Sequence, residues 1–415
     1  MQTTDASTTG RWFEDGALHL GVGIEDTFIP QERVGQRKLD EYELTQHYHL
    51  WREDLDLAAA SGATLIRWGI PWYLVEKDEG VYDFGWVDQV AARMQELGLR
   101  CVVDLMHYGT PLWLENGFLN PDYPTKVAAY ARAVAERYRG VFTDYTPLNE
   151  PLVNAIWCGR DRRWPPYLEG HSGFVRVLLP LAKGIVLAHR AILEVDPDAT
   201  IVHVDAGFLW AGEHFPGLSH AELDEWRFLA MDLITGRVGA VHPLREYLLS
   251  NSATTEDLAW FQSDPVLPHV LGVNYYPAFT TMRFDPATDQ EIPVEAGAAG
   301  LVDLVGAYAK RYGLPVAVTE TARATPDDDE KVLWVEELFR AVAELRAAGV
   351  PLVAAFWFPM LDLVDWSYRD GVGPADDYMM RFGLVDLVRG PDNVLERRPN
   401  PAYAVFQDQV RAALA

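Results

Sequence analysis

Two short runs in this chain carry carboxyl groups in settings suited to acid–base and nucleophilic chemistry, Asn149-Glu150-Pro151 and Thr319-Glu320-Thr321. A lone glutamate at the end of an apolar run is more often a salt-bridge partner than a catalyst. Each of these two follows a short β-rich apolar run, and similar runs end in Arg67-Trp68, His107-Tyr108, Asn274-Tyr275-Tyr276 and Trp357-Phe358. One carboxyl placed to give up a proton and a second placed to attack suit cleavage of a glycosidic bond held between them. Flat rings that stack on C–H faces, with polar groups that orient hydroxyls, are what a sugar site needs. An arginine beside a carboxylate keeps it ionised, and a tyrosine hydroxyl can orient it. Simple packing competes as the explanation for Trp68 and Tyr275. It competes less well for Arg67 and His107, because a charge or imidazole in an apolar run needs partners.

These groups need a frame that brings distant segments to one place. Apolar runs at Ala17–Gly23, Ala63–Trp68, Leu99–Met106, Thr143–Leu148, Thr200–Asp205, His269–Asn274, Pro315–Thr319 and Val350–Trp357 read as strands. Between and after them the spacing predicts helices over His47–Ser61, Trp86–Leu97, Pro124–Arg139, Gly173–Val195, Ala221–Gly236, Leu301–Tyr312, Asp329–Ala348 and Pro401–Leu414, several ended by glycine. Continuous apolar strands alternating with helices indicate a parallel sheet covered on its outside. Eight such units favour closure into a barrel, and no glycine-rich phosphate fingerprint follows the first strand. The expected fold is α/β, a single (β/α)8 TIM barrel spanning 1–415, with the Thr/Ser-rich residues 1–10 flexible. In such a barrel, functional groups project from the C-terminal ends of the strands, where the residues above stand.

With 35 Lys and Arg against 61 Asp and Glu, the net charge is −26, which disfavours nucleic acid as a partner and is otherwise the charge of a soluble surface. No stretch of about 18 apolar residues is present to span a membrane. Cys101 and Cys158 can pair at most once, and Cys101 lies in an apolar strand, so a buried free thiol is expected. No basic-then-apolar leader opens the chain, and a cytoplasmic location is the default expectation. No cofactor is implied. No helical His pair with a nearby glutamate suggests a metal, and His47 and His49 read as surface or capping residues.

At its chemistry-bearing residues the chain resembles family 1 of the glycoside hydrolases, over nearly its whole length. The family's Thr-x-Asn-Glu-Pro is similar to Thr146-Pro147-Leu148-Asn149-Glu150-Pro151, with one extra residue. Its Thr-Glu-Asn-Gly keeps Thr319-Glu320, and its His-Trp looks like His107-Tyr108. Asn274-Tyr275-Tyr276 and Arg381-Phe382-Gly383-Leu384 are intact, and Arg398-Pro399-Asn400 is similar to the family's ending. The resemblance implies a retaining β-glycosidase acting on a carbohydrate or glycoside substrate. Glu150 would be the acid/base and Glu320 the nucleophile. Asn149 would bind the sugar 2-hydroxyl, Arg67 and Tyr276 would hold Glu320, and His107 would bind a further hydroxyl. Tyr108, Asn274 and Trp366 are also expected at the substrate. The family's sugar-gripping glutamate aligns with Asp365, one methylene shorter. Its tryptophan platform aligns with Phe358 unless Trp357 supplies it, and Glu25 or Asp26 stands where it has a glutamine.

Departures around Glu320 and at Asp365 keep open a catalytically silent carbohydrate-binding protein, and the same residues would also serve a transglycosidase. Two further segments have open roles. Arg160–Pro166 either lines the leaving-group side or is a solvated loop, and Phe279–Gly300 is either a lid or a long surface loop.

Overall fold

The computed structural model describes residues 11–212, 218–288 and 290–413; the expected flexible run 1–10 lies outside them. The barrel strands are His19–Gly23, Leu65–Gly69, Arg100–Asp104, Asp144–Thr146, Thr200–Ala206, Val270–Asn274, Val316–Glu320 and Leu352–Trp357, called strands 1 to 8 below. Each pairs in parallel with its neighbours in chain order, and strand 8 closes on strand 1 with Val22 opposite Trp357. Every expected strand is present, with ends moved by one or two residues.

The strands are apolar on both faces because each face has a core of its own. Outward-facing side chains pack against the helices. Inward-facing Leu65, Val102, Val202, Val204, Val270, Ala317 and Phe356 fill the barrel together with Trp12 and Phe13. Those two aromatics come from the short 3-10 turn Trp12–Glu14, and the Trp12 indole donates to Asp144 Oδ1 at 2.7 Å. The turn is a floor that seals the end opposite the site. Gly21 and Gly23 on strand 1 leave room for Phe356 and Phe358, whose rings a Cβ at either position would overlap.

The expected helix Ala221–Gly236 is broken into His220–Trp226 and Leu229–Ile234. At the break, the Tyr308 hydroxyl donates to the Arg227 carbonyl, and Tyr312 adds a bond at 3.3 Å to the Phe228 carbonyl, which also accepts the Asp232 amide at 2.8 Å. The segment Phe279–Gly300 is a hairpin, Thr281–Asp285 against Gln290–Val294, joined to Leu209–Trp210 as a three-stranded sheet beside the barrel mouth. It then runs into the helix Gly297–Tyr312. His47 is fully buried, pairing through Nδ1 with Asp54 at 2.8 Å and accepting from the Trp68 indole at 3.0 Å. The surface or capping reading of His47 therefore fails, because Asp54, two turns on in the same helix, and Trp68 of strand 2 enclose its ring. Cys101 and Cys158 are both buried free thiols.

Trp12→Ala would empty the floor and strand the Asp144 carboxylate's indole contact. We expect a loss of about 3 kcal/mol, read as a lower midpoint in urea unfolding; an unchanged midpoint would contradict the sealing role.

Candidate active site

Strand 7 carries Glu320, and its pairing with strand 6 shifts register between Val318 and Glu320, so that Glu320 stands opposite Asn274. Such an irregularity re-aims the side chain that follows it. Across the mouth, Glu150 has a left-handed backbone, φ 45° and ψ 66°, just before the helix Pro151–Ala155. Tyr108 is left-handed too, at φ 74°. Conformations of this kind cost on the order of 1–3 kcal/mol each and persist only where the surroundings hold them. Here the Asn149 amide donates to the Met106 carbonyl at 3.0 Å and the Glu150 amide to the Val204 carbonyl at 3.2 Å, pinning the turn to strands on both sides.

The two carboxyls have different surroundings. Glu320 receives a hydrogen bond from Arg67 Nη1 and one from the Tyr276 hydroxyl at 2.7 Å. Glu150 receives them from the Tyr108 hydroxyl and from Asn274 Nδ2, the latter at 2.8 Å, with no cation in direct contact. Burial, and next the charge of Glu320, push the Glu150 carboxyl up to about 7, although its hydrogen bonds pull the other way. Below about pH 7, Glu150 therefore holds a proton while a guanidinium faces Glu320.

Behind this pair lies a connected layer. Arg67 is fully buried, donates to Asn149 Oδ1 at 2.7 Å and approaches Asp104 Oδ2 at 2.6 Å. Asn149 Nδ2 reaches His107 Nε2 at 2.8 Å and Tyr108 Oη at 3.1 Å. His107 Nδ1 faces Asp26 at 2.9 Å and Asp104 at 3.4 Å. Burial alone would lower the His107 pKa, but Asp26 and then Glu25 outweigh it and hold the imidazole well above its usual range. Asp104 was not singled out from the sequence. Its signal was the one that marked His107, a charged residue closing an apolar strand.

A cavity of about 1290 Å³ opens over the two carboxyls. Of the residues expected at the substrate, Glu25, His107, Tyr108, Glu150, Asn274, Tyr276, Glu320, Asp365 and Trp366 line it. Arg67, Asn149 and Asp26 do not; they form the layer behind. Trp357 is a correction: it is fully buried away from the cavity, its indole donating to the Phe382 carbonyl at 3.2 Å. Phe358 does not line the cavity either, and its ring lies against Arg67 and parallel to His107 at 6.2 Å. Successive residues here point to opposite faces: Trp357 faces outward into the packing of the helices, and Phe358, just past strand 8, faces inward onto Arg67 beneath the cavity.

The remaining walls come from segments whose role the sequence left open. Arg160, Asp161, Arg163 and Trp164 line the cavity, as do Phe279, Met282, Phe284 and Glu291 of the hairpin. Arg160 ties the two together by pairing with Asp161 and Glu291, each at 2.8 Å. Trp157, Trp164 and Trp366 cluster with Tyr108, an aromatic wall that sequence reading caught only in part. The loop carrying Asp365 and Trp366 is anchored by Asp362, which accepts from the amides of Gly383 and Leu387 at 3.0 Å each and pairs with Arg381. The Arg381–Leu384 motif therefore acts as a clamp on the mouth.

A closed parallel barrel whose mouth holds two carboxyls, one protonated by burial and one bound by a guanidinium, suits the two-carboxyl chemistry of glycoside hydrolases. The family model described as "Glycosyl hydrolase family 1" matches residues 3–189. The "6-phospho-beta-glucosidase" of Clostridium longisporum is 32% identical over 423 residues, covering 88% of this chain and 85% of that protein. "Beta-glucosidase A" of Thermotoga maritima is 23% identical over 384 residues, with 82% and 81% covered. The solved structure "Family 1 b-glucosidase from Thermotoga maritima" superposes with a TM-score of 0.79 at 20% identity, over 96% of this chain and 98% of that one. The chain belongs to glycosyl hydrolase family 1 and is a retaining β-glycosidase. No helix of the described residues is long and apolar enough to cross a membrane.

A raised pKa at Glu150 also shapes stability. Below about pH 4 the carboxyl is neutral both folded and unfolded. Between there and pH 7 only the unfolded chain gives up its proton, so the folded state loses roughly 3 kcal/mol relative to a permanently neutral group. Glu150→Gln should therefore melt with the native protein at pH 4 and clearly above it at pH 8. Equal melting temperatures at pH 8 would contradict the raised pKa.

Proposed function

We propose that Glu150 is the acid/base and Glu320 the nucleophile of a double displacement on a β-linked glycoside, with the whole chain working as one domain. The observation that supports this best is the asymmetry of the pair, one carboxyl protonated by burial and the other held by Arg67 and Tyr276. In the first step the Glu320 carboxylate attacks the anomeric carbon. The bond to the leaving oxygen breaks, and that oxygen takes the Glu150 proton. In the second step Glu150 removes a proton from water, the water oxygen displaces Glu320 from the anomeric carbon, and both carboxyls return to their starting states. A silent binding protein has no use for so unequal a pair.

Glu25, His107, Asp365 and Trp366 form the glycone end of this reading, and Tyr108 and Asn274 orient Glu150. Arg67 and Asn149 act from behind as positioning residues. The phosphosugar in the Clostridium relative's name is not carried over. Glu25 and Asp365 line the cavity here, and Arg160 is already paired with two carboxylates. Like charges brought together cost several kcal/mol, so an aryl 6-phospho-β-glucoside should turn over at least about a hundredfold more slowly than its unphosphorylated counterpart. Comparable rates would exclude this picture of the cavity.

Glu150→Gln should lower kcat/KM on glycosides with poor leaving groups by about 10²- to 10⁴-fold. In the native enzyme, kcat/KM for such substrates should fall as pH rises through about 7, where Glu150 loses its proton. With 2,4-dinitrophenolate as leaving group, which departs unaided, that fall should flatten. Azide should restore turnover to Glu320→Gly and yield the α-glycosyl azide. Recovery of only the β-azide from that variant would reverse the two assignments.

A further inference from the structure

The glycone end of the cavity holds more carboxyl groups than its basic side chains match. Arg67 is taken by Glu320, Asn149 and Asp104. His107 is held from behind by Asp26 and Asp104. Three carboxyls remain. Glu25 lines the cavity, 93% of its surface withdrawn from solvent (7% exposed), with His107 Nε2 as its nearest cation at 3.6 Å; the Thr27 amide, at 3.0 Å, and the Thr27 hydroxyl both donate to its Oε1, which leaves Oε2 for a ligand. Asp365 lines the cavity from the loop after strand 8, one of its oxygens accepting from the Ser367 amide at 2.8 Å.

Glu41 stands between the two loops that carry them. Its amide donates to the Thr27 carbonyl at 3.0 Å, and its Oε2 accepts from the Val364 amide at 3.1 Å. Glu41 is fully buried, and its Oε1 has no hydrogen-bond partner. Among the described residues, no lysine or arginine pairs with Glu25, Glu41 or Asp365. Burial raises the pKa of both glutamates, and the charge of Glu25 adds to the shift at Glu41.

Carboxyls withdrawn from water with fewer donors than their oxygens can accept are costly, and a cation with hydrogen-bond donors relieves them best. A glycone bearing only hydroxyls supplies donors but no charge. An ammonium group supplies three donors and the missing positive charge in a volume close to that of a hydroxyl. We infer that the glycone carries an ammonium group at the end remote from its anomeric carbon, held between Glu25 and Asp365 with Glu41 behind, so that the substrate is a β-linked amino sugar. This rests on the reading of the cavity as the glycone site of a β-glycosidase.

The test compares 4-nitrophenyl β-D-glucoside with its 3-amino-3-deoxy, 4-amino-4-deoxy and 6-amino-6-deoxy counterparts, and with each amine N-acetylated, on the native enzyme at pH 6.5. At least one amino glycoside should exceed the glucoside in kcat/KM by roughly thirtyfold, the lower end of what a buried charge pair is worth. Acetylation, which removes the charge, should abolish that advantage without any change to the protein. Glu25→Gln and Asp365→Asn should each shrink the ratio of amino glycoside to glucoside. Turnover of the glucoside with no amino glycoside preferred would overturn this inference and leave the double displacement standing. An advantage that survives acetylation would overturn it as well. If no glycoside of either kind is hydrolysed, both readings fall.

Discussion

A guanidinium with no exposure to water stands beneath the mouth of this barrel. The cost of burying such a charge is several kcal/mol unless partners surround it, and most of the site can be understood as the set of partners that Arg67 requires. It is ringed by Glu320 from strand 7, Asn149 from the end of strand 4 and Asp104 from strand 3. Those strands lie far apart in sequence, and only a closed barrel brings their C-terminal ends around one point. Phe358 covers the same group from just past strand 8, and glycine at position 23 makes the space for that ring. Barrel closure and site geometry are thus one constraint seen from two directions.

The same charge separates the two carboxyls. Glu320 sits on the guanidinium and takes a tyrosine hydroxyl besides. Glu150 lies in the same cavity without a cation of its own, so burial and the neighbouring negative charge keep it protonated. Two identical side chains acquire opposite properties from their surroundings, which is how one site runs acid and nucleophilic chemistry at one pH. The left-handed backbone at Glu150 is the conformational cost of presenting it. The hydrogen bond that its backbone N–H donates to Val204 of strand 5, and the one that the Asn149 N–H donates to Met106 just past strand 3, hold it in place.

Around this centre the walls are built from parts that do not belong to the strand–helix repeat. A hairpin, a loop tied to it by Arg160, and a segment clamped by Asp362 and Arg381 close the mouth. These are the portions in which this chain differs in character from the rigid barrel beneath, and they carry the aromatic and acidic side chains that a substrate meets first.

Much of this was legible in the residues alone. The eight strands stood out because a strand buried on both faces must be a continuous apolar run, and glycine after several helices marked their ends. Glu150, Glu320, Arg67 and His107 stood out because each is polar where such a run stops. The pairing of Glu320 with Arg67 and Tyr276 was expected from the resemblance. Which way a side chain faces was not legible. Glu25 and Asp26 are adjacent and chemically alike, yet Glu25 lines the cavity while Asp26 turns back to His107, a choice made by a contact with strand 3. Trp357 and Phe358 looked equally fit to stack on a sugar, yet one is tied to the Phe382 carbonyl and the other lies on Arg67. His47 looked like a surface residue until Asp54 and Trp68 closed over it. Local pattern determines which segments become strands and which residues end them, because burial and periodicity act along the chain. Orientation, ion pairing and protonation depend on neighbours that only the closed barrel supplies.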